Sequence, residues 1–488
     1  MKTTPPGYPF LFGFYGTKAT RATVSLLKST RACGVLLLAR NIESTQRLRA
    51  LTEELVQRVG RPLLFSIDHE GGWVTRFSEG VTFFPGNGAL GAAGDESLAY
   101  ETGAHMAREL RPLGVQLNLA PVLDVLTRRY NPGIGIRSFG EDPRSVGRLG
   151  AALARGLQDH GVWACAKHFP GKGAATVDAH VELPTIRLPK KDFLRAHLAP
   201  FEAAVDAGTA CVMTSHVRYP ALDKKNIATF SPAITSGLLR RRLGFDGVVI
   251  SDDLCMGAIS TREPIQLAAA RALSAGHDLL IVAHDVEVMR ESADMVEAAL
   301  SSGELDRAVF ERSCARVARL LRPPKPAAAP RRAADEVCRL TSERAVRVLR
   351  RGRAPLPVER PALIVFPDFR EVKERFAFEG GPEGPRRRVE RRSGLPVALA
   401  PVESADVSRL ASRLKQAQRV IFFCFEARRF PGQRAALELV NRHAADKTVA
   451  ALIRGRWDLD LLDRRVTALD SNGYRVAQLD AILDRIIA

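Results

Sequence analysis

The sequence predicts an α/β protein: an N-terminal (β/α)8 barrel followed by a smaller α/β sandwich-like domain. Three observations predict it. First, eight short apolar runs recur, each bounded by turn residues: 9–16, 33–39, 62–70, 114–125, 161–170, 210–217, 247–254 and 278–285. Second, the stretches between them, such as "STQRLRALTEELVQRVG" and "DFLRAHLAPFEAAVDAG", space apolar residues three and four apart, as amphipathic helices do. Near-continuous apolar strands alternating with helices are the pattern of a parallel sheet covered on its outer face. Third, ionisable residues collect where the runs end: Asp68, Glu70, Asp124, Lys167, His168, His216, Asp252, Asp253 and His284. In a TIM-like barrel the C-terminal strand ends form the active-site face, whereas an open sheet gathers ligands at a switch point.

Taken in order, residues 1–322 form the barrel. Residues 323–335 lie in the Pro/Ala-rich stretch "RPPKPAAAPRRAADE" and read as a semi-rigid linker. Residues 336–488 form the accessory α/β domain. It opens with an expected helix, "SERAVRVLRRG", and has expected strands "PALIVFP", "LPVALAPV", "RVIFFCFEA" and "TVAALIRG". "GPRRRVERR" reads as a solvated loop. The second domain carries no phosphate-binding glycine loop and reads as supporting rather than catalytic.

Composition narrows the function classes. A 46% hydrophobic, 26% charged chain of 488 residues is globular and long enough for two domains. The start, "MKTTPPGYPFLFGFYGTKAT", lacks the pattern of a secretory signal, and no run reaches the length of a membrane span. Seven scattered cysteines without a Cys-x-x-Cys pair argue against a disulfide framework or zinc ribbon. A reducing cytoplasm is the expected compartment. The formal charge of +18 is carried mostly by dispersed arginines, without the basic stripe or motif of a nucleic-acid binder. The strand ends lack His/Cys spacing for zinc, so no metal or other cofactor is expected.

The densest chemistry lies in "AKHFPGKGAATVDAHVELP". In extended chain, Asp178 and His180 share a face, so the carboxylate can orient an imidazole for proton transfer. The alternative is a turn-capping aspartate and an exposed histidine. Asp252 and Asp253 are adjacent and point in opposite directions, so one faces the barrel mouth. A lone inward carboxylate serves as nucleophile, base or metal ligand. Lys167, His168 and Arg137 are donors suited to a polyhydroxylated or carboxylate ligand, or to structural ion pairs.

Together these pieces resemble glycoside hydrolase family 3, in its N-acetyl-β-glucosaminidase branch of two-domain type. The resemblance is carried by "FSIDHEGGWVTRF", "LNLAPVLDV", "GIRSFGEDP", "KHFPGKGAATVDAH", "VMTSHVRYPALD" and "GFDGVVISDDLCMGAI", in matching order. "RRFPGQRAALELV" and "VAALIRGRWDLDLL" look like the accessory domain. The resemblance implies an exo-acting retaining enzyme, with muropeptide-type cell-wall fragments as substrate. It implies Asp252 as nucleophile, and His180 with Asp178 as the acid/base dyad. It implies sugar contacts from Asp68, Arg76, Arg137, Lys167 and His168. This chain departs from the branch pattern at Lys172, Ala174 and Ala179, and at His69 and Trp73. Trp73 offers either a sugar-stacking face or plain packing. Competing expectations are a β-glucosidase with a second-domain glutamate as acid/base, a glycoside phosphorylase, and a non-catalytic sugar-binding protein.

Overall fold

In a computed structural model, residues 8–179 and 181–487 are described. The chain forms two compact units. The first comprises residues up to Glu70, Glu96–Ile134 and Ser138–Arg331. The second comprises Gly71–Asp95, Gly135–Arg137 and the chain from Arg332 onward. Two short segments that the sequence places within the barrel thus fold with the second unit.

The first unit is a closed barrel of eight parallel strands. They are β1 (Tyr8–Phe12), β2 (Ala32–Leu37), β3 (Leu64–Ile67) and β4 (Leu117–Asn118). Then come β5 (Trp163–Phe169), β6 (Cys211–Thr214), β7 (Val248–Asp253) and β8 (Leu279–Val282). Each expected run overlaps one of them. β8 closes on β1 through the Phe12–Val282 register. All six residues of β2 are buried, because one strand face packs the barrel interior and the other packs the helices. The intervening helices begin where side chains cap them. Thr20, Ser44, Asp142, Asp285 and Asp306 each accept a backbone N–H of the first turn. Among the described residues, no helix is long and apolar enough to cross a membrane. All seven cysteines are free thiols.

Two buried histidines stiffen the barrel as neutral groups. His277 bonds the Thr214 hydroxyl at 2.8 Å and the Ala272 carbonyl at 3.0 Å. Burial pushes its pKa down to about 4, and burial does the same to His197. An unfolded imidazole titrates near 6.5, so between about pH 6.5 and 4 the unfolded chain binds more protons than the folded one. Stability is therefore full above this window and falls as pH drops through it. Urea midpoints measured from pH 7 to 4 should decrease, and His277→Gln should flatten part of that decrease.

The second unit holds a six-stranded sheet. Its strands are β9 (Arg347–Arg350), β10 (Leu363–Pro367), β11 (Val397–Ala400), β12 (Val420–Cys424), β13 (Thr448–Leu452) and β14 (Thr467–Asp470). Their order is β11-β10-β12-β13-β14-β9, parallel except for the β9 edge. Two expectations are corrected. The helix read through "SERAVRVLRRG" ends at Ala345, and Arg347–Arg350 is a strand pairing antiparallel with β14. "GPRRRVERR" is not a loop. It forms the helix Gly384–Ser393, which carries Pro385 in its first turn, buries Val389 and ends at left-handed Gly394.

Trp73 belongs to the second unit's core. Its ring lies 3.7 Å from the guanidinium carbon of buried Arg454, which pairs with Glu426 at 2.9 Å. Phe376, Phe425 and Phe430 complete an aromatic box around the same cation. Packing, not a sugar-stacking face, accounts for this tryptophan.

Candidate active site

The site is built from the first unit's strand ends. At the end of β3, Asp68 and Glu70 each approach Lys167 Nζ at 2.7 Å. Lys167 comes from β5 and is buried. Two carboxylates around one ammonium are stable only because all three are desolvated together and hydrogen-bonded. Lys167→Met should remove the ammonium that Asp68 and Glu70 share. The expected loss is about 3–5 kcal/mol of stability, read as a lowered denaturation midpoint. An unchanged midpoint would count against the ion triad.

Asp124, fully buried beyond β4, organises the next part of the loop. Its Oδ2 lies 2.7 Å from His168 Nδ1, and its Oδ1 accepts the Lys172 backbone N–H at 2.6 Å. One carboxylate thus fixes both the ring of His168 and the path of the Pro-Gly-Lys-Gly turn. Gly173 sits against the Val125 backbone, where a Cβ would fall 1.7 Å from the carbonyl oxygen, so only glycine fits. Asn131 clamps the turn from outside. Its Nδ2 donates to the carbonyls of Lys172 and Gly173 at 3.0 and 3.2 Å.

Farther along this loop, the Asp178 side chain packs beside Gly133. Ala179 is buried against Met256 and Ala258, and its carbonyl accepts the Ala258 N–H at 3.1 Å. This loop is therefore tied to the turn that follows β7. A serine hydroxyl at 179 would be buried in this apolar contact, which rationalises the alanine. His180 lies outside the described residues.

β7 ends in Asp252 and Asp253, which diverge as expected for adjacent strand residues. Lys172 Nζ lies 3.9 Å from Asp252 Oδ2, and the lysine side chain is only 8% exposed. Asp253 instead faces His284, with 3.2 Å between Nε2 and Oδ2. His216 underpins this strand end. Its Nε2 donates to the Asp253 carbonyl at 3.0 Å, while its Nδ1 meets Thr229 Oγ1 at 2.7 Å. Burial pushes the His216 pKa down, against the opposing pull of Asp252, so the ring is neutral.

The structure thus brings Asp68, Lys167, His168 and Asp252 to the C-terminal ends of β3, β5 and β7 of the first unit, with Asp178 on the loop that joins β5 to β6. Arg76 and Arg137 lie on the two segments that fold with the second unit. Arg137 ends a short turn, and its carbonyl accepts from Asn87 at 2.8 Å. The role of Asn131 carried no signal in the sequence beyond an Asn-Pro turn. Glu70 and Asp124 were visible as strand-end acids, but their partners were not. Among the described residues, no group of three or more His, Cys, Asp or Glu side chains is placed to hold a metal ion.

The description "Glycosyl hydrolase family 3 N terminal domain" matches residues 11–320, which is most of the first unit. The chain belongs to glycoside hydrolase family 3. It is a glycoside hydrolase. A beta-hexosaminidase of Thiobacillus denitrificans is 40% identical over 289 residues, covering 58% of this chain and 80% of that protein. A family 3 beta-N-acetylglucosaminidase structure from Paenibacillus sp. str. FPU-7 superimposes with a TM-score of 0.90 at 32% identity. It covers 97% of this chain and 94% of its own. NagZ from Neisseria gonorrhoeae, solved with N-trifluoroacetyl-D-glucosamine, matches at TM-score 0.59 and 29% identity. That match covers 70% of this chain and 99% of NagZ. Family 3 membership and these relatives agree with the expected fold and reaction class.

Proposed function

We propose that this family 3 enzyme is an exo-acting, retaining β-N-acetylglucosaminidase that removes terminal N-acetylglucosamine from muropeptide-type cell-wall fragments in the cytoplasm. The observation that carries the reading is the pairing of two elements. Asp252 stands at the end of β7 beside the Lys172 ammonium. The loop bearing Asp178 is fastened to the turn just beyond Asp252 through Ala179. Nucleophile and proton shuttle therefore sit on segments that are held together. The hexosaminidase relatives support N-acetylglucosamine as the sugar.

The chemistry proceeds in two displacements. Asp252 attacks the anomeric carbon while imidazolium His180 gives its proton to the departing oxygen. Neutral His180 then takes a proton from water, which attacks the same carbon and releases the Asp252 carboxylate. Two inversions retain configuration. Asp178 orients the ring and stabilises its protonated form. Asp68, Arg76, Arg137, Lys167 and His168 bind the terminal sugar.

The test compares aryl N-acetylglucosaminide with aryl glucoside, each with and without phosphate. Release from the first alone, independent of phosphate, is expected. Preference for the glucoside would favour the glucosidase reading. A sugar phosphate product would favour phosphorolysis, and no turnover of either substrate would favour a binding protein.

A further inference from the structure

The turn that carries Lys172 is fixed on both sides of that residue. The Gly171 N–H donates to the His168 carbonyl at 2.8 Å, and the Gly171 carbonyl accepts the Tyr219 hydroxyl at 3.1 Å. Tyr219 is itself buried, with its hydroxyl 2.8 Å from Ser215 Oγ. Asp124 takes the Lys172 N–H, and Asn131 takes the carbonyls of Lys172 and Gly173. A backbone held this way aims its side chain. Lys172 is buried, and burying an ammonium is costly unless an anion lies near. Asp252 Oδ2 is 3.9 Å from its Nζ. At that distance the two attract by charge rather than through a short hydrogen bond.

The charges that share this field come from each neighbouring strand. Asp253 follows Asp252 on β7 and turns to His284. His216, just beyond β6, feels both Asp252 and Lys172, and burial keeps its ring neutral. Lys167 on β5 acts with Asp68 and Asp252 on buried Cys165. Lys167, however, is balanced by Asp68 and Glu70 at 2.7 Å each, whereas Lys172 pairs with Asp252 itself. Asp178 and His180 lie farther along the loop that carries Lys172.

The two displacements change the charge beside that ammonium. Asp252 is a carboxylate in the resting enzyme, a neutral ester in the glycosyl-enzyme, and a carboxylate again after hydrolysis. A fixed cation favours the ionised form at both ends and disfavours the ester between them. In the second displacement the water oxygen bonds to the anomeric carbon. The bond from that carbon to Asp252 breaks, its electron pair passes to the carboxylate, and the water proton goes to His180. The negative charge therefore develops next to Lys172.

We infer that Lys172 is a positioning residue that keeps Asp252 ionised as pH falls and speeds its release from the glycosyl-enzyme. The inference rests on the glycosidase reading above and adds the group that decides which displacement limits turnover. With Lys172 in place the glycosyl-enzyme is short-lived and its formation is the slow step.

The test compares wild type with Lys172→Met, which keeps an unbranched apolar stem without the charge, and Lys172→Arg, which keeps the charge. The substrate is nitrophenyl N-acetylglucosaminide. Wild type should release chromophore without a burst. Lys172→Met should give a burst, with kcat lowered on the order of tenfold and KM falling alongside it, because the slowed step follows the intermediate. Intact-mass measurement of the quenched variant should find one N-acetylglucosaminyl adduct that wild type does not accumulate. The acid limb of kcat/KM, which reports Asp252 in the free enzyme, should move up by about one pH unit. Lys172→Arg should bring the limb back toward wild type and remove the burst. A merely structural lysine would lower activity without moving the limb or trapping the adduct. An unmoved limb, a burst as large in wild type as in Lys172→Met, or a Lys172→Arg variant that matches Lys172→Met in both readouts would overturn the inference. Failure of wild type to hydrolyse the substrate would instead overturn the glycosidase reading itself.

Discussion

Asp252→Gly should lose activity by at least about 10⁴-fold on every substrate, because no group remains to form the glycosyl-enzyme. The protein should remain folded, since the Asp252 side chain is 17% exposed and its ion pair with Lys172 spans 3.9 Å. Added azide should partly restore turnover and give the α-glycosyl azide, one inversion instead of two. That stereochemistry separates loss of a nucleophile from loss of fold. Asp253→Asn should keep turnover, because Asp253 faces His284. A comparable loss in both variants, with no azide product from either, would remove Asp252 from the nucleophile role.

His180→Ala should divide substrates by leaving group. Acid assistance matters most when the departing oxygen is basic, so a disaccharide should lose on the order of 10²–10⁴. A nitrophenyl glycoside should lose less in the first displacement. Water attack then lacks its base, so a burst of chromophore should precede slow steady turnover. Azide, which needs no base, should accelerate that turnover and give the β-azide. Asp178→Ala should act in the same direction and more weakly, since the imidazole remains but loses its partner. Equal losses for good and poor leaving groups, with no burst, would reduce His180 to a loop anchor.

The barrel was legible in the sequence for a plain physical reason. Parallel strands covered on both sides need apolar residues at nearly every position, and "CGVLLLA" or "GVVIS" can hardly be anything else. The edge strand Arg347–Arg350 was not legible, because Arg-Val-Leu-Arg lacks the strict alternation of a half-buried strand and also fits an amphipathic helix. The helix Gly384–Ser393 was hidden by its charge: only Val389 marks a buried face among six arginines and glutamates near it.

The site shows the same division. Residue types and their strand-end positions were readable one strand at a time. Pairings across the fold were not: Lys167 meets Asp68 over 99 positions of chain. Nothing local told that Lys172 would point at Asp252 or that Asp124 would hold both His168 and the lysine backbone. Trp73 and Arg454 lie far apart in sequence and explain each other only when packed. The Gly71–Asp95 and Gly135–Arg137 segments could not be assigned to the second unit from pattern, because their packing partners come from the far end of the chain.

The most direct test of the account is covalent trapping. A 5-fluoro-N-acetylglucosaminyl fluoride keeps the 2-acetamido group and slows both displacements, because fluorine destabilises the oxocarbenium-like transition state. Its good leaving group lets the first displacement outrun the second. Peptide mass analysis of the stalled enzyme should find one glycosyl adduct, in the peptide containing "VVISDDL", with fragmentation placing it on Asp252. An adduct on another residue would contradict the assignment. A protein with no adduct, turning over through the sugar's own acetamido oxygen, would contradict the covalent mechanism altogether.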